Sequence, residues 1–346
     1  MAPLRSLSNP ISSFNDPFAG TGTRAGEVWF PPPPINRGTR AVFSGGGTYP
    51  ASPNGTNTMD YITITGATGH ANDFGDLVTA PSRSGSASNG TRGICCGGYD
   101  NNTSSQSNVI QYYTFATTGN ATDSGNLTTT TGSSCAASNG HRAVNANYTQ
   151  DDTRIDYFSF ATGDNATEFG DLYNGDDWMG TVQDLTRALF CGGGNDSPHA
   201  RSNIIQYVTV ATTGDSQDFG DLTVSKRSHS GQACSSTRSV VASGYNQPTN
   251  GNYYTVESTE YYTFATLGNA VSFGDMLATS GISPGGTSNS VRGVWMGGGD
   301  LALSPSYGTN VIQYVNIPTL GDTIDFGDMV TTGGWCDACS NAHGGL

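Results

Sequence analysis

One block of sequence recurs six times along the chain, and it constrains the fold more than any other feature. Each copy opens with a tyrosine in a short alternating segment. It reaches a Phe-Gly-Asp-Leu-like tetrapeptide 12 or 13 residues later. The tyrosines are Tyr61, Tyr112, Tyr157, Tyr207, Tyr261 and Tyr314. The tetrapeptides begin at Phe74, Ser124, Phe169, Phe219, Phe273 and Phe326, which are separated by 50, 45, 50, 54 and 53 residues.

A repeat of this length built from short strands is typical of an all-β propeller in which each copy forms one blade. In the third copy, residues 155–160 alternate as a strand and residues 167–172 form a second strand. A strand of small residues and an apolar strand that begins with arginine complete four strands per copy. Small side chains suit the innermost strand, where the blades crowd around the axis.

The ends of the chain predict how the ring closes. An arginine strand at residues 40–46 precedes the first tyrosine strand, and the last segment, residues 336–346, has the pattern of an innermost strand. We therefore predict a six-bladed propeller over residues 39–346 whose C-terminal strand completes the first blade. Closure of this kind leaves no exposed sheet edge at the ends of the ring.

Two resemblances accompany the repeat. An apolar strand ending in Gly-Gly, then an aromatic strand and an aromatic-Leu strand, resembles the kelch class of β-propeller over residues 39–346. The copies use Phe where a blade Trp is usual, and Gly-Gly is absent at 145–147 and 243–244. The Thr-, Gly- and Asn-rich texture resembles repeat proteins of tailed phages, particularly of marine and cyanobacterial hosts. That resemblance implies a virion component made in the bacterial host cytoplasm.

Composition narrows the range of partners. Acidic residues outnumber basic ones 28 to 14, and Lys226 is the one lysine. Nucleic-acid binding needs a basic face, so we expect none. No apolar run is long enough for a membrane span, and residues 1–18 lack the apolar core of a secretory signal. An odd number of cysteines, seven, indicates free, mostly buried thiols.

An arginine opens the second strand of every blade. These residues are Arg40, Arg92, Arg142, Arg187, Arg238 and Arg292. They could form a cationic ring that binds an anion on the axis, or each could bridge to a carboxylate of its own or a neighbouring blade. A position filled in every blade normally serves packing, so we favour the bridge. The candidate partners are Asp76, Asp171, Asp221, Asp275 and Asp328, or Asp60, Asp156 and Glu260. Removing Arg187 from a buried pair would then cost about 3–5 kcal/mol.

The other repeated residues favour structure over chemistry. We expect the repeat tyrosines and phenylalanines to form core between blades rather than a carbohydrate platform. Asp73-Phe74-Gly75-Asp76 lacks the long oxygen-rich loop of a calcium site, and Cys336-x-x-Cys339 lacks a second ligand pair. The five histidines fall at unrelated repeat positions, and no nucleophile, metalloprotease or phosphate-loop motif occurs. We predict no metal, no cofactor and no enzymatic activity.

The variable segments after the Gly-Gly strands are the candidate binding loops. They contain Tyr49, Tyr99, Tyr148, Tyr245, Tyr253, Tyr254 and Tyr307. Tyrosine among Ser, Asn and Gly suits an adaptable recognition surface, although these rings could equally pack on their own blades. A second irregular loop, residues 173–184, holds Asp176, Asp177, Trp178 and Met179.

Residues 1–38 have no place in the repeat and are predicted to form an extended, Pro-containing arm. The arm carries Phe14, Phe18, Trp29 and Phe30, followed by a proline run at 31–34 that favours a stiff polyproline spacer. The arm could lie on its own ring or on a neighbouring subunit, and we favour docking on another copy or on a different virion protein.

Two main hypotheses follow. The chain is a non-enzymatic phage virion protein of the tail, a fibre or a capsid decoration, which displays a propeller for assembly and for attachment to the host surface. Alternatively, it is a stand-alone propeller module that binds a glycan or receptor. A bacterial scaffold protein is a third, weaker option.

Overall fold

The computed structural model describes residues 39–47, 55–148, 153–194, 201–227, 230–231, 233–246, 254–277, 283–299 and 308–342. The predicted arm at 1–38 lies outside these ranges. Every regular element within them is a β-strand. The described part of the chain is therefore all-β, as the repeat of short strands predicts.

The strands fall into six blades in chain order. Blade 1 contains β1 (Arg40–Ser44), β2 (Thr58–Thr63) and β3 (Asn72–Asp76). Blade 2 contains β4 (Pro81–Ser82), β5 (Gly85–Ser88), β6 (Arg92–Cys96), β7 (Tyr99–Asp100), β8 (Ser105–Thr114) and β9 (Thr122–Thr131). Blade 3 contains β10 (Ser133–Ser138), β11 (Arg142–Tyr148), β12 (Arg154–Ser159) and β13 (Thr167–Asp171).

The second half of the ring repeats this arrangement. Blade 4 contains β14 (Gly180–Gln183), β15 (Arg187–Cys191), β16 (Ile204–Thr209) and β17 (Gln217–Asp221). The short β18 (Ser230–Gly231) follows and pairs in parallel with β14 of blade 4. Blade 5 contains β19 (Ala233–Cys234), β20 (Arg238–Val241), β21 (Tyr245–Asn246), β22 (Tyr254–Thr255), β23 (Ser258–Thr263) and β24 (Val271–Asp275). Blade 6 contains β25 (Gly285–Ser288), β26 (Arg292–Met296), β27 (Thr309–Asn316) and β28 (Ile324–Gly333).

The last strand of the chain, β29 (Asp337–Ser340), completes the first blade. It pairs antiparallel with β1, with Cys339 opposite Val42, and the strand order from the axis outward is β29-β1-β2-β3. The predicted six-bladed all-β propeller and its closure by the C-terminal strand are therefore confirmed.

The hydrophobic core lies between blades rather than within them. The described buried residues form six clusters, and each cluster draws its members from two adjacent blades. Between blades 3 and 4, for example, Val144 and Phe169 share a cluster with Phe190. Blades 6 and 1 are joined in the same way by Phe326 and Phe43. Each blade therefore buries its apolar faces only when both of its neighbours are present.

The innermost strands carry small residues because they also bond to one another around the axis. The Ser88 hydroxyl donates to the Ser340 carbonyl at 2.7 Å, and the Ser340 hydroxyl donates to the Ser288 carbonyl at 2.6 Å. Ser288 in turn donates to the Cys234 carbonyl at 2.6 Å. A short side chain can reach the neighbouring backbone in this crowded channel, where a larger one would not fit.

The Phe-Gly-Asp motif forms the outermost strand of each blade, and the next blade covers its open edge. At the boundary between blades 3 and 4, Ser216 N donates to the Asp171 carbonyl at 2.8 Å, while Asp171 N donates to Asp215 Oδ1 at 3.0 Å. Equivalent pairs of bonds occur at the other five boundaries. An unpaired strand edge is thus satisfied by a neighbouring turn instead of being left for aggregation.

Glycine is required in this motif because the neighbouring turn approaches the backbone closely. A Cβ on Gly274 would overlap the carbonyl group of Gly321 in the next blade. Gly274 itself has no left-handed φ, so close approach alone explains the glycine there. At Gly170, where φ is +158°, the added atom would overlap Gly214. The repeated glycine therefore sets how closely two blades can pack.

The expected arginine–carboxylate bridges are wrong. Among the described residues, none of the six repeat arginines forms an ion pair with a carboxylate. Each guanidinium instead donates to a backbone carbonyl of the next blade, as Arg187 does to Phe264 at 2.9 Å and Arg92 to Phe160 at 2.9 Å. The other four acceptors are on Phe115, Val210, Ile317 and Ile64, for Arg40, Arg142, Arg238 and Arg292 respectively. We call each contact an arginine clamp.

The repeat tyrosine supports the clamp within its own blade. The guanidinium of Arg187 lies 5.0 Å from the ring centroid of Tyr207, and the other five pairs lie 4.3 to 4.7 Å apart. Tyr207 in turn meets Phe219 edge to face at 6.0 Å. Each tyrosine is half-buried, packs against an inter-blade cluster and holds its arginine in place.

The carboxylates named as arginine partners have other roles. The residue before each repeat tyrosine is polar and buried, and these residues are Asp60, Gln111, Asp156, Gln206, Glu260 and Gln313. They accept a backbone N–H from the segment that follows Phe-Gly-Asp in the preceding blade, as Gln206 does from Asn174 at 3.1 Å. Glu260 also pairs with Lys226 at 2.8 Å, with both side chains buried. These tethers are a third kind of polar contact across each boundary, after the clamp and the covered strand edge, and the sequence did not reveal them.

We expect Arg187→Ala to lower the free energy of unfolding by about 2–3 kcal/mol, the sum of one charged hydrogen bond and one cation–π contact. The loss is smaller than for a buried ion pair because no carboxylate is left unpaired. Urea unfolding measures it. Arg154→Ala is the control, since Arg154 is outside the clamps, and its loss should stay below about 1 kcal/mol. Equal losses in both variants would contradict the clamp.

We expect Gly274→Ala to destabilise the ring by about 1–3 kcal/mol, because the methyl group forces blades 5 and 6 apart. Gly132→Ala is the matched control. Its added Cβ makes only ordinary contacts, the nearest 3.4 Å from the Gln106 side chain. Thermal unfolding of both variants tests this. A stable Gly274→Ala protein would show that the close approach is not needed.

Asp60 should make stability depend on pH. Burial, with Asp73 second, raises the pKa of Asp60 from 3.8 to about 6. Between these values the unfolded chain releases a proton that the folded chain keeps, so stability falls as pH rises from 4 to 6 and the penalty persists above. Asp60→Asn should match wild type below pH 4 and exceed it at pH 7 by about 1–2 kcal/mol, after discounting for solvent screening.

Urea titrations at pH 4 and pH 7 measure this difference. Asp156→Asn is the comparison, because Asp156 accepts from Thr128 N at 2.9 Å, Thr128 Oγ1 at 2.7 Å and Asn147 Nδ2 at 2.8 Å. An amide there turns an acceptor into a donor, so this variant should be less stable than wild type at pH 7. An Asp60→Asn protein that gains nothing at pH 7 would refute the raised pKa.

Candidate functional site

The six innermost strands begin at the same end of the central channel. The residues at or just before the start of these strands differ from blade to blade. We call them mouth positions: the residues five places before the last residue of each innermost strand. In the described residues they are Arg83, Ser133, Trp178, Ser283 and Trp335. The equivalent sequence position in blade 5 is His229, which lies outside the described residues. Packing positions repeat, whereas these positions vary, which is the pattern of a surface that has acquired a specific role.

The backbone holds the mouth positions in an unusual conformation. Arg83, Trp178 and Trp335 have φ values of 59°, 58° and 56°, and Ser283 has 43°. Bulky side chains rarely occupy this left-handed region, and such strain collects at functional sites. Backbone bonds also link neighbouring blades here, from Trp335 N to the Ser283 carbonyl at 3.1 Å and from Arg83 N to the Trp335 carbonyl at 3.2 Å. The mouth is therefore a built feature of the fold.

Arg83 and Trp178 meet across the mouth in a stack of cations and rings. The Arg83 guanidinium lies 5.3 Å from the Trp178 ring and 5.4 Å from the Tyr99 ring. Arg227 lies over Trp178 as well, at 5.0 Å. Trp178 is thus in contact with two guanidinium groups, and Arg83 is in contact with two aromatic rings. Each such contact stabilises the arrangement modestly, and together they fix the orientation of the side chains.

A buried network supports the stack from behind. Arg227 pairs with Asp177 at 3.0 Å and donates to the Tyr245 hydroxyl at 3.0 Å and to the Gly194 carbonyl at 3.1 Å. Tyr245 meets Trp178 edge to face at 5.7 Å. Burial raises the pKa of Tyr245 above its usual value, although Arg227 opposes the shift. Arg227 therefore anchors the stack, and its charge is compensated by Asp177.

A cavity of about 280 Å³ opens beside this stack. Its described lining consists of Gly47, Ser82, Arg83, Tyr99, Asn101, Trp178 and Trp335. Arg83 and the three aromatic residues are half-buried, so each keeps surface for a ligand. An apolar pocket with a few converging polar groups is the usual form of a small-molecule site.

The local charge is set by arginines. Among the described lining residues, Arg83 is a cation and none is a carboxylate. Asp177 lies behind Trp178 in its pair with Arg227. Asp176 is buried next to it, and that burial raises the pKa of its carboxyl group. The described part of the lining is thus cationic, in a chain of net charge −14.

The predicted loop tyrosines have different environments. Tyr99 lines the cavity, Tyr245 is buried in the supporting network, and Tyr254 is exposed on β22 beside β21. Tyr148 is described only by its backbone, in the pair opposite Ser133. Tyr49, Tyr253 and Tyr307 lie outside the described residues, as do the arm residues Phe14, Phe18, Trp29 and Phe30. Within the described part, one predicted tyrosine therefore contributes directly to the cavity.

Sequence reasoning missed Arg83 and Trp335 and did not connect them with Trp178. The available signal was variation at one repeat position. When the six copies are aligned on their innermost strands, this position is arginine, serine, tryptophan or histidine, depending on the copy. A position that served only packing between blades would carry the same residue type in every copy. Repetition drew attention to the invariant arginines and tyrosines, which instead hold the blades together.

The cysteines contribute no site of their own in the described residues. All seven are free and buried. Burial raises the pKa of the Cys95 and Cys336 thiols to about 12, so they remain protonated at neutral pH. Among the residues that the structure describes, no group of three or more His, Cys, Asp or Glu side chains could hold a metal ion. Over the same ranges, no helix has the length and hydropathy of a membrane span.

Comparison with known proteins leaves the structure as the guide to function. The sequence matches no protein-family model, and no curated protein matches it significantly.

Proposed function

We propose that this chain is a non-enzymatic structural protein of a phage particle, in the tail, a fibre or a capsid decoration, which displays its propeller for attachment to the host surface. The observation that supports recognition is the cavity formed by Trp178, Trp335 and Arg83 at one end of a closed ring. The Thr-, Gly- and Asn-rich texture of the repeat, which resembles that of tailed-phage proteins, supports the virion assignment.

A rigid ring suits display. Every described blade boundary carries an arginine clamp, a covered strand edge and an apolar cluster, so the mouth positions are held in place from both sides. Preorganised side chains lose little conformational entropy on binding, which favours affinity for a small surface group. The loop face can therefore vary in sequence while the blades keep their geometry.

The part of the proposal that concerns assembly rests on the arm, residues 1–38. Four large aromatic side chains, Phe14, Phe18, Trp29 and Phe30, lie in 38 residues that the repeat does not include. Such residues form the buried anchors of protein interfaces. We infer that the arm docks on another copy or on a different virion protein.

A stand-alone glycan- or receptor-binding propeller is the second candidate. The same cavity favours it, because recognition does not require a particle. The two candidates differ in what the arm does, and its removal separates them.

The test compares the full chain with a chain lacking residues 1–38 by sizing, electron microscopy and adsorption to bacterial cells. We expect both to show six-bladed discs and to adsorb equally, while only the full chain assembles into larger particles or joins purified phage structural proteins. Monomers in both cases, with no capture of phage proteins, would reject the virion proposal in favour of the free-standing module. Loss of adsorption by both would reject recognition itself.

A further inference from the structure

We propose that the cavity beside Arg83 binds a carboxylated sugar, a hexuronate unit of a surface polysaccharide. The inference rests on the recognition function proposed above and names the class of ligand. It follows from the size of the cavity, its aromatic walls and the placement of its one described lining cation.

The size suits one sugar ring. Sites for drug-sized ligands have volumes of about 300–1,000 Å³, so a cavity of about 280 Å³ is at the lower limit. A peptide segment or a nucleotide would exceed it, whereas a single pyranose with its substituents would fill it. The rest of a polysaccharide chain would then lie along the loop face.

The aromatic walls suit a pyranose. Trp178 and Trp335 are half-buried and both line the cavity. The axial C–H groups of a sugar ring form an apolar face that packs on an indole ring, while its hydroxyls point to the sides. Asn101 and Ser82 also line the cavity, and because the Asn101 Nδ2 and the Ser82 hydroxyl already donate to backbone carbonyls, these side chains offer their oxygen atoms as acceptors for those hydroxyls.

Arg83 determines the charge of the ligand. Its contacts with Trp178 and Tyr99 are made through ring faces at 5.3 and 5.4 Å, and a guanidinium carries its five N–H groups in its own plane. A carboxylate binds such an edge with two parallel hydrogen bonds, which a lysine could not reproduce.

The conformation of the mouth supports a formed site. Left-handed backbone geometry occurs at four of the five described mouth positions, Arg83, Trp178, Ser283 and Trp335, and is absent at Ser133. Strain of this kind persists where the surrounding structure holds it, and it is characteristic of ligand sites. Three of these four residues, Arg83, Trp178 and Trp335, line the cavity.

The experiment measures binding of the full chain to a pentamer of galacturonic acid and to the same pentamer fully methyl-esterified, by calorimetry and tryptophan fluorescence. The two probes share a sugar backbone and differ in charge. We expect the acid to bind at least about tenfold more tightly, since hydrogen bonds to a charged group are worth that factor or more. A pentamer of a neutral sugar that carries sulfate groups serves as the third probe. It should bind less tightly than the galacturonic acid pentamer.

Variants locate the effect. Arg83→Gln should lower affinity for the acid about tenfold and leave affinity for the ester unchanged, while Arg83→Lys should fall between wild type and Gln. Trp335→Ala should weaken both probes. Arg154→Gln, which removes the same charge outside the cavity, should bind like wild type. Urea midpoints show whether each variant is folded. If a variant is not folded, the ratio of the wild-type affinities for the acid and the ester still decides the proposal.

Equal affinity for acid and ester, tighter binding of the sulfated probe, or an unaffected Arg83→Gln protein would overturn the hexuronate assignment. If no probe binds while the full chain still adsorbs to cells, the assignment fails and the recognition function stands. If adsorption is also absent, both fail.

Discussion

The structure depends on the location of its core at the boundaries between blades. A four-stranded sheet of small residues cannot bury both faces by itself, so each blade needs a neighbour on either side. Three kinds of polar contact cross the same boundaries: the arginine clamp, the covered Phe-Gly-Asp edge and the buried tether before each tyrosine. A boundary left open would expose an apolar cluster and unpaired backbone together. Closure through β29 is therefore a condition of stability for the whole ring.

The repeated residues and the residues of the candidate site lie at different positions in this ring. The repeated residues are those that meet a neighbouring blade, because every boundary has the same geometry and selects the same solution. The mouth positions lie at the end of the channel instead, and the contacts that join neighbouring blades there are backbone bonds, which do not restrict the type of side chain. Arg83, Trp178 and Trp335 could therefore diverge into a cation and two indoles without weakening a boundary. The cavity arises where the sixfold pattern is broken.

Much of the architecture was predictable because strand periodicity and repeat length are local properties of the chain. The blade number, the inner small-residue strands and the shared first blade all followed from spacing and from the incomplete copies at the two ends. The partners of the repeat arginines could not be predicted from spacing. Sequence showed a cation and several acids at fixed intervals, and a charge pair was the simplest interpretation. Only the structure shows that Arg187 faces the Phe264 carbonyl and that Glu260 pairs with Lys226.

The sequence by itself determined that the chain is a six-bladed all-β propeller with a C-terminal closing strand, since these features depend on period and alternation. The tertiary structure decided which groups meet across the boundaries and which residues form a site. Residues 83, 178 and 335 are far apart in the chain and have no shared motif. They become neighbours because ring closure brings the entrances of all innermost strands to one mouth, and contact of that kind depends on geometry that no local pattern encodes.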